Sequence, residues 1–284
     1  MGYQSLHKGI LLLRHPVLWI FGLFAGLFMS CGIYLVFSGM EGAFYAERLF
    51  VFSLIICPFF IAATYGAIKT DNFSVKNYIK EGISGYFRIL LPTVLIMAGA
   101  ILLLFLITMP TAMAGLADPL LFAGAFFLLF LPFLIFVFFY DTAAIFEDKK
   151  VFECIKRSLE VSFIKPLQVF NFFILLLLLF FVFFTGFSIV WSGVLSKQFE
   201  PLVDMSDEEL NSFAQNPEAV VAVLGDYGVL VTVVMTFFGT LLFASVILPY
   251  KAVFYRDYLF NAAAEPLAPE IEGEYDEKGR WYKY

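Results

Sequence analysis

Six long stretches of this chain, at positions 17–38, 49–68, 89–109, 119–140, 167–195 and 227–250, contain no Asp, Glu, Lys, Arg or His. Each reaches or exceeds the roughly 20 residues that an α-helix needs to cross a hydrocarbon core. Inside lipid every backbone N–H and C=O must be paired within the segment, so a helix is the element expected for each stretch. Composition supports the same reading, because 61% apolar residues, 38 Phe and only 15% charged residues leave too little polar surface to cover a soluble fold. The expected architecture is all-α: a six-span transmembrane helical bundle forming one integral membrane domain over 1–260, with no room for a large soluble domain.

The formal charge of -6 averages two unlike surfaces. Of the 18 Lys and Arg, all but Arg48 and Lys197 fall before the first span, in every second gap, or after the last span. By the positive-inside bias, that side is cytoplasmic. Both termini are then expected in the cytoplasm of a prokaryotic cell, the protein sits in the plasma membrane, and the loops near Glu41, Leu116 and Asp204 lie outside. The run after Lys8 and Arg14 also invites a signal-peptide reading, but it continues from Gly32 to Phe37 without a small-x-small cleavage site, so it is expected to stay as a span. Cys31, Cys57 and Cys154 fall in two spans and a cytoplasmic helix, which predicts packing residues and no disulfide.

The chain also repeats itself. Spans two, four and six each carry a proline, in Cys57-Pro58-Phe59, Leu131-Pro132-Phe133 and Leu248-Pro249-Tyr250, where loss of a backbone donor is expected to kink the helix. Pro58 and Pro132 lie 74 residues apart, and Val75, Ile79 and Lys80 match Val151, Ile155 and Lys156 at an offset of 76. Pro249 follows Pro132 by 117, the excess falling in a longer fifth span and an outer insert at 196–226. A three-fold internal repeat follows, with units 1–70, 71–147 and 148–260, each an amphipathic interfacial helix, a span outward and a proline-containing span back. In the second unit Val75, Tyr78, Ile79, Ile83, Tyr86 and Phe87 form an apolar face opposite Lys76, Asn77, Lys80, Glu81 and Ser84. In the third, Val151, Phe152, Ile155, Leu159 and Phe163 oppose Lys149, Lys150, Glu153, Lys156, Arg157 and Glu160. Such helices anchor at the interface. Lys76, Lys80, Arg88, Lys149, Lys150, Lys156 and Arg157 either simply obey topology or contact anionic lipid head groups or a protein partner in the membrane.

From Tyr140 the chain reads Tyr140-Asp141-Thr142-Ala143-Ala144-Ile145-Phe146-Glu147-Asp148-Lys149-Lys150, then Val151 to Ile155 and Lys156-Arg157-Ser158-Leu159-Glu160. This segment resembles the recurring cytoplasmic segment of a group of prokaryotic polytopic proteins of unknown function, including the membrane domain attached to some glycerophosphoryl diester phosphodiesterases. The resemblance implies a helical membrane module without the soluble phosphodiesterase domain, and it carries over no catalytic residues.

Parts for catalysis are scarce. His7 and His15 are the two histidines, and there is no HExxH, Walker, GxSxG or Cys-cluster motif, so neither an enzyme nor a bound cofactor or metal is expected. Nothing points to nucleic acid. The acid that stands out is Asp141, at the inner end of span four, where an unpaired carboxylate is disfavoured. It reads either as a helix cap or ion-pair partner of Lys149, Lys150 or another base, or as a functional acid. Between Glu200 and Asp226 lie seven acids and no base, with Ser206-Asp207-Glu208-Glu209 as a capping box, which reads as a solvated cap or as a dock for a cation or basic partner. Residues 261–284 form an acidic tail with a basic, aromatic tip, expected to be unstructured. Three functions fit in descending order: a noncatalytic scaffold, assembly or lipid-organising module of the envelope; a transporter or permease subunit for a hydrophobic or lipid-like solute; and a membrane enzyme acting on lipid head groups.

Overall fold

A computed structural model of the protein describes residues 2–113, 119–202, 205–206, 210, 213, 217–261, 273–275 and 281–283. Nearly all of them are helical. The order is α1 (Gly2–Leu12), a 3-10 turn (Pro16–Trp19), α2 (Ile20–Phe37), α3 (Met40–Thr70), α4 (Val75–Met113), α5 (Pro119–Val137), α6 (Tyr140–Phe146), α7 (Val151–Ile164), α8 (Pro166–Val194), α9 (Ser196–Phe199) and α10 (Pro217–Phe254). A π-helical turn, Tyr255–Leu259, closes α10. Six segments are long and apolar enough to cross a membrane: Pro16–Phe37, Met40–Thr70, Val75–Met109, Leu128–Phe146, Pro166–Val194 and Ala219–Leu259. Among these, the most apolar window of Pro166–Val194 has no buried residue at all, so its Leu and Phe side chains require lipid rather than water. The fold therefore fits a multi-pass membrane protein.

Two helix breaks fall at prolines, while those at 71–74 and 147–150 do not. His15 and Lys165, each preceding a proline, leave the helical region at φ −88°, ψ 111° and φ −124°, ψ 51°, as the clash with the pyrrolidine ring demands. α1 and α7 are thus separate from the spans that follow them. The expected second interfacial helix is instead continuous with span three in the 39-residue α4, about 58 Å long at 1.5 Å per residue, and Pro92 lies inside it. Pro58, Pro132 and Pro249 all lie inside helices, in α3, α5 and α10. α10 also bends at Gly225, whose φ of 59° suits a residue without Cβ.

The anticipated apolar faces point away from the bundle. On α7, Phe152, Leu159 and Phe163 are exposed, while Cys154, Arg157, Ser158, Val161 and Ser162 are buried. On α4, Val75, Ile79, Ile83 and Phe87 are exposed and only Tyr78 of the expected face is fully buried. In a membrane protein, lipid and not the core takes up the apolar face.

Core packing concentrates at the base-rich ends of the spans. It gathers Ala62, Ala63, Tyr65 and Ala67 of α3, Phe139 to Phe146 around α6, and Tyr250, Ala252, Phe254 and Tyr255 of α10 and its terminal turn. Small residues allow the closest approaches. A Cβ on Gly22 would lie 2.5 Å from the Leu241 carbonyl oxygen, and one on Gly26 would lie 2.8 Å from that of Phe237. Gly22 and Gly26 form a Gly-x-x-x-Gly step that lets α2 and α10 touch backbone to backbone. Near the C-terminus, Gly273–Tyr275 pairs antiparallel with Trp281–Lys283, in the register Gly273 to Lys283, so part of the segment expected to be unstructured forms a short ladder.

Candidate functional site

The charged residues at the base-rich end are brought together by helices far apart in sequence. α6 follows α5 after a single loosened turn, and its first turn carries Asp141 into the core, where it is 5% exposed. Lys251, also 5% exposed, comes from α10, and its Nζ lies 2.7 Å from Asp141 Oδ1 and donates to Oδ2 at 2.8 Å. Nζ further donates to the Phe138 carbonyl at 2.7 Å and stands 4.0 Å from the Phe138 ring centroid. The Asp141 carboxylate also accepts the Thr142 N–H at 2.7 Å and the Tyr65 hydroxyl, from α3, at 3.3 Å. The ammonium has two hydrogen-bond acceptors and both carboxylate oxygens have donors, the condition under which a buried ion pair is tolerated.

A second pair lies beside it. Glu147 Oε1 and Oε2 accept from Arg157 Nε at 2.9 and 3.0 Å, and the Tyr255 hydroxyl donates to Oε1 at 2.6 Å. Arg157 Nη2 donates to the Leu259 and Phe260 carbonyls at 3.4 and 3.2 Å, so the guanidinium caps the end of the π-turn as well as pairing with Glu147. Burial opposes the charge on Arg157, but Glu147 outweighs it and holds the guanidinium pKa above its usual value. A third cluster sits outward. Asp148, at φ 54°, accepts from Lys69 Nζ at 2.6 Å and from Arg88. Lys69 also donates to the Ile145 carbonyl at 2.7 Å. Slight burial pushes the Asp148 carboxyl upward, yet Lys69 and Arg88 together leave it below its usual value. Finally, Lys8 of α1 pairs with Asp257 at 2.6 Å.

The structure thus places the candidate residues in three groups. Asp141 is held by Lys251 and Tyr65, not by Lys149 or Lys150. Arg88 and Arg157, read as lipid-facing bases, are engaged by Asp148 and by Glu147, and Arg157 is buried. Lys76, Lys80, Lys150 and Lys156 are exposed, and Lys149 is half-buried. Of the prolines, Pro58 and Pro249 are buried in the bundle and Pro132 is exposed. Asp204, Asp207, Glu208 and Glu209 of the acidic segment lie outside the described residues.

Sequence reasoning missed Lys251, Tyr65 and Tyr255 as members of this site. A signal was available: Lys251 follows Tyr250 just as Asp141 follows Tyr140, a charge of opposite sign at the base-rich end of a proline-bearing span. Tyr65 and Asp141 are separated by 76 positions, as are Lys69 and Ile145, which is the offset that relates Val75 to Val151. Cys154 is buried on α7, and burial pushes its thiol up to about 12, so it is a packing group and not a nucleophile. Among the described residues, no three His, Cys, Asp or Glu side chains gather closely enough to hold a metal ion.

Two apolar cavities open between helices. One, of about 640 Å³, lies between α8 and α10 and is lined by Phe180, Phe183, Phe187, Trp191, Thr232 and Thr236. The other, of about 1390 Å³, lies between α4, α5 and α7. Compared with protein-family models, curated proteins and solved structures, the chain matches none.

Proposed function

We propose that the protein is a noncatalytic multi-pass scaffold of the plasma membrane, with both termini cytoplasmic, whose ion-paired inner end presents a fixed surface to a membrane partner. One observation carries this reading: Asp141, Glu147 and Asp148, the acids nearest the inner end of span four, are each held by a base from another helix. A catalytic or proton-carrying acid needs an exchangeable site. These three instead join α3, α4, α6, α7 and α10 to one another. The bases left exposed, Lys76, Lys80, Lys150 and Lys156, suit contact with anionic head groups or an acidic partner surface.

Affinity isolation of the full chain in native lipid tests the proposal. A stoichiometric protein partner, lost when Lys76 and Lys80 are both changed to Glu, is the expected result. Recovery of the chain with a stoichiometric solute and no protein would favour the second reading, a transporter for a lipid-like solute, for which the 640 Å³ cavity between α8 and α10 is the supporting feature. Orientation is tested separately: a cysteine at Ser196 is expected to react with an impermeant maleimide only from outside, and one at Lys150 only from the cytoplasm.

A further inference from the structure

We infer that the groove between α4, α5 and α7 is a binding site for one zwitterionic phospholipid whose head group carries a primary ammonium. This goes beyond the scaffold reading and does not depend on it. The groove has a volume of about 1390 Å³, and its walls include Leu95, Gly99 and Leu102 of α4, Phe133 of α5, and Phe152 and Phe163 of α7. Measured along α4, Leu102 lies about 21 Å beyond Arg88 at 1.5 Å per residue. Arg88 is ion-paired at the base-rich end, and one leaflet of a ~30 Å hydrocarbon core is about 15 Å deep. The groove therefore reaches at least as deep as one leaflet and takes acyl chains of that leaflet.

Its charged rim selects the head group. Lys156 and Glu160 are the charged residues of the lining. They stand 3.7 Å apart with Lys156 largely exposed, looser than the 2.6 to 2.9 Å pairs of the inner core. Arg157, one residue on, is turned inward to Glu147 and reaches Glu160 only at 3.7 Å. The rim therefore offers one exposed cation and one carboxylate in a loose pair, a near-neutral arrangement that complements a phosphate beside an ammonium better than a net anion. Lys156 donates to the phosphate, and the Glu160 carboxylate, which only accepts, takes protons from the primary ammonium. A quaternary ammonium has none to give.

The test uses the full chain in bilayer discs of equal parts phosphatidylethanolamine, phosphatidylcholine and phosphatidylglycerol, with retained lipid counted by native mass spectrometry. One phosphatidylethanolamine per chain is expected, at about a fivefold preference over either competitor, the scale set by one interfacial charge contact. Lys156→Glu removes the donor to the phosphate and lowers phosphatidylethanolamine retention by about the same factor. Gly99 lines the groove with Phe133 in van der Waals contact, 3.7 Å from a built Cβ, so Gly99→Phe fills the groove and removes the retained lipid. Should Gly99→Phe fail to fold, the exposed Lys156 variant decides alone. Equal or greater retention of phosphatidylglycerol, or phosphatidylethanolamine retention unchanged by Lys156→Glu, overturns the inference.

Discussion

At the scale of single residues, Asp141 and Lys251 are the pair on which the inner core depends. Removing one charge from a buried pair leaves the other uncompensated, at a cost of about 3–5 kcal/mol. Asp141→Asn is therefore expected to lower unfolding stability in detergent by that amount. The double variant Asp141→Asn, Lys251→Met is expected to lose less than the sum of the single losses, because neither charge is then stranded. A chemical-denaturation series over the four proteins measures this coupling. Asp148 is different, since its side chain is more than half exposed and water screens its contacts with Lys69 and Arg88. Its folded pKa lies below the ordinary 3.8. Stability from this cluster is thus present above that value and lost as pH falls through the depressed one. Thermal unfolding between pH 5 and pH 2.5 is expected to show a loss at the acid end that Asp148→Asn reduces.

At the scale of elements, α7 and the α2–α10 contact show how the same composition serves two environments. α7 turns Arg157 and Ser158 inward and Phe152 and Phe163 outward, which inverts the face that binary patterning assigns to the core of a soluble protein. Arg157→Met strands Glu147 and is expected to cost about 3–5 kcal/mol, whereas Lys156→Met, on the exposed face, changes stability by no more than about 0.5 kcal/mol. The two melting curves separate these outcomes. For α2 and α10, Gly22→Leu pushes a side chain into the Leu241 carbonyl and Ser245, and a loss of about 1–3 kcal/mol is expected from overpacking. Gly32, which has nothing within 4 Å of its built Cβ, is the control, and Gly32→Leu is expected to be near neutral.

At the scale of the whole molecule, the six spans were legible because a charge-free apolar run has no other stable place. Pro16 and Pro166 also begin helices after a break, but prolines inside α3, α4, α5 and α10 do not, so proline alone does not mark the boundary. The continuity of α4 was not legible from composition, since a change from mixed to apolar residues at Ile89 alters the solvent of a helix without ending it, and Pro92 removes one backbone donor within α4 without breaking it. The Gly22 and Gly26 step was readable in principle, but only the fold reveals that it faces α10. The site was the least legible part. Asp141 stood out as a charge at the end of an apolar run, while its partner Lys251, 110 positions away, was marked only by its place after Tyr250 at the end of a proline-bearing span. Register between return spans decides that pairing, and register is a property of the packed bundle.

If the inner ends of α3, α6 and α10 form one ion-paired unit, their amides should open together. Hydrogen exchange of the full chain in lipid discs tests this directly, by comparing wild type with Asp141→Asn over 62–68, 141–147 and 250–255. The account predicts strong protection of all three segments in wild type and a joint rise in exchange in the variant. A rise confined to 141–147, with the other two segments unchanged, would contradict it.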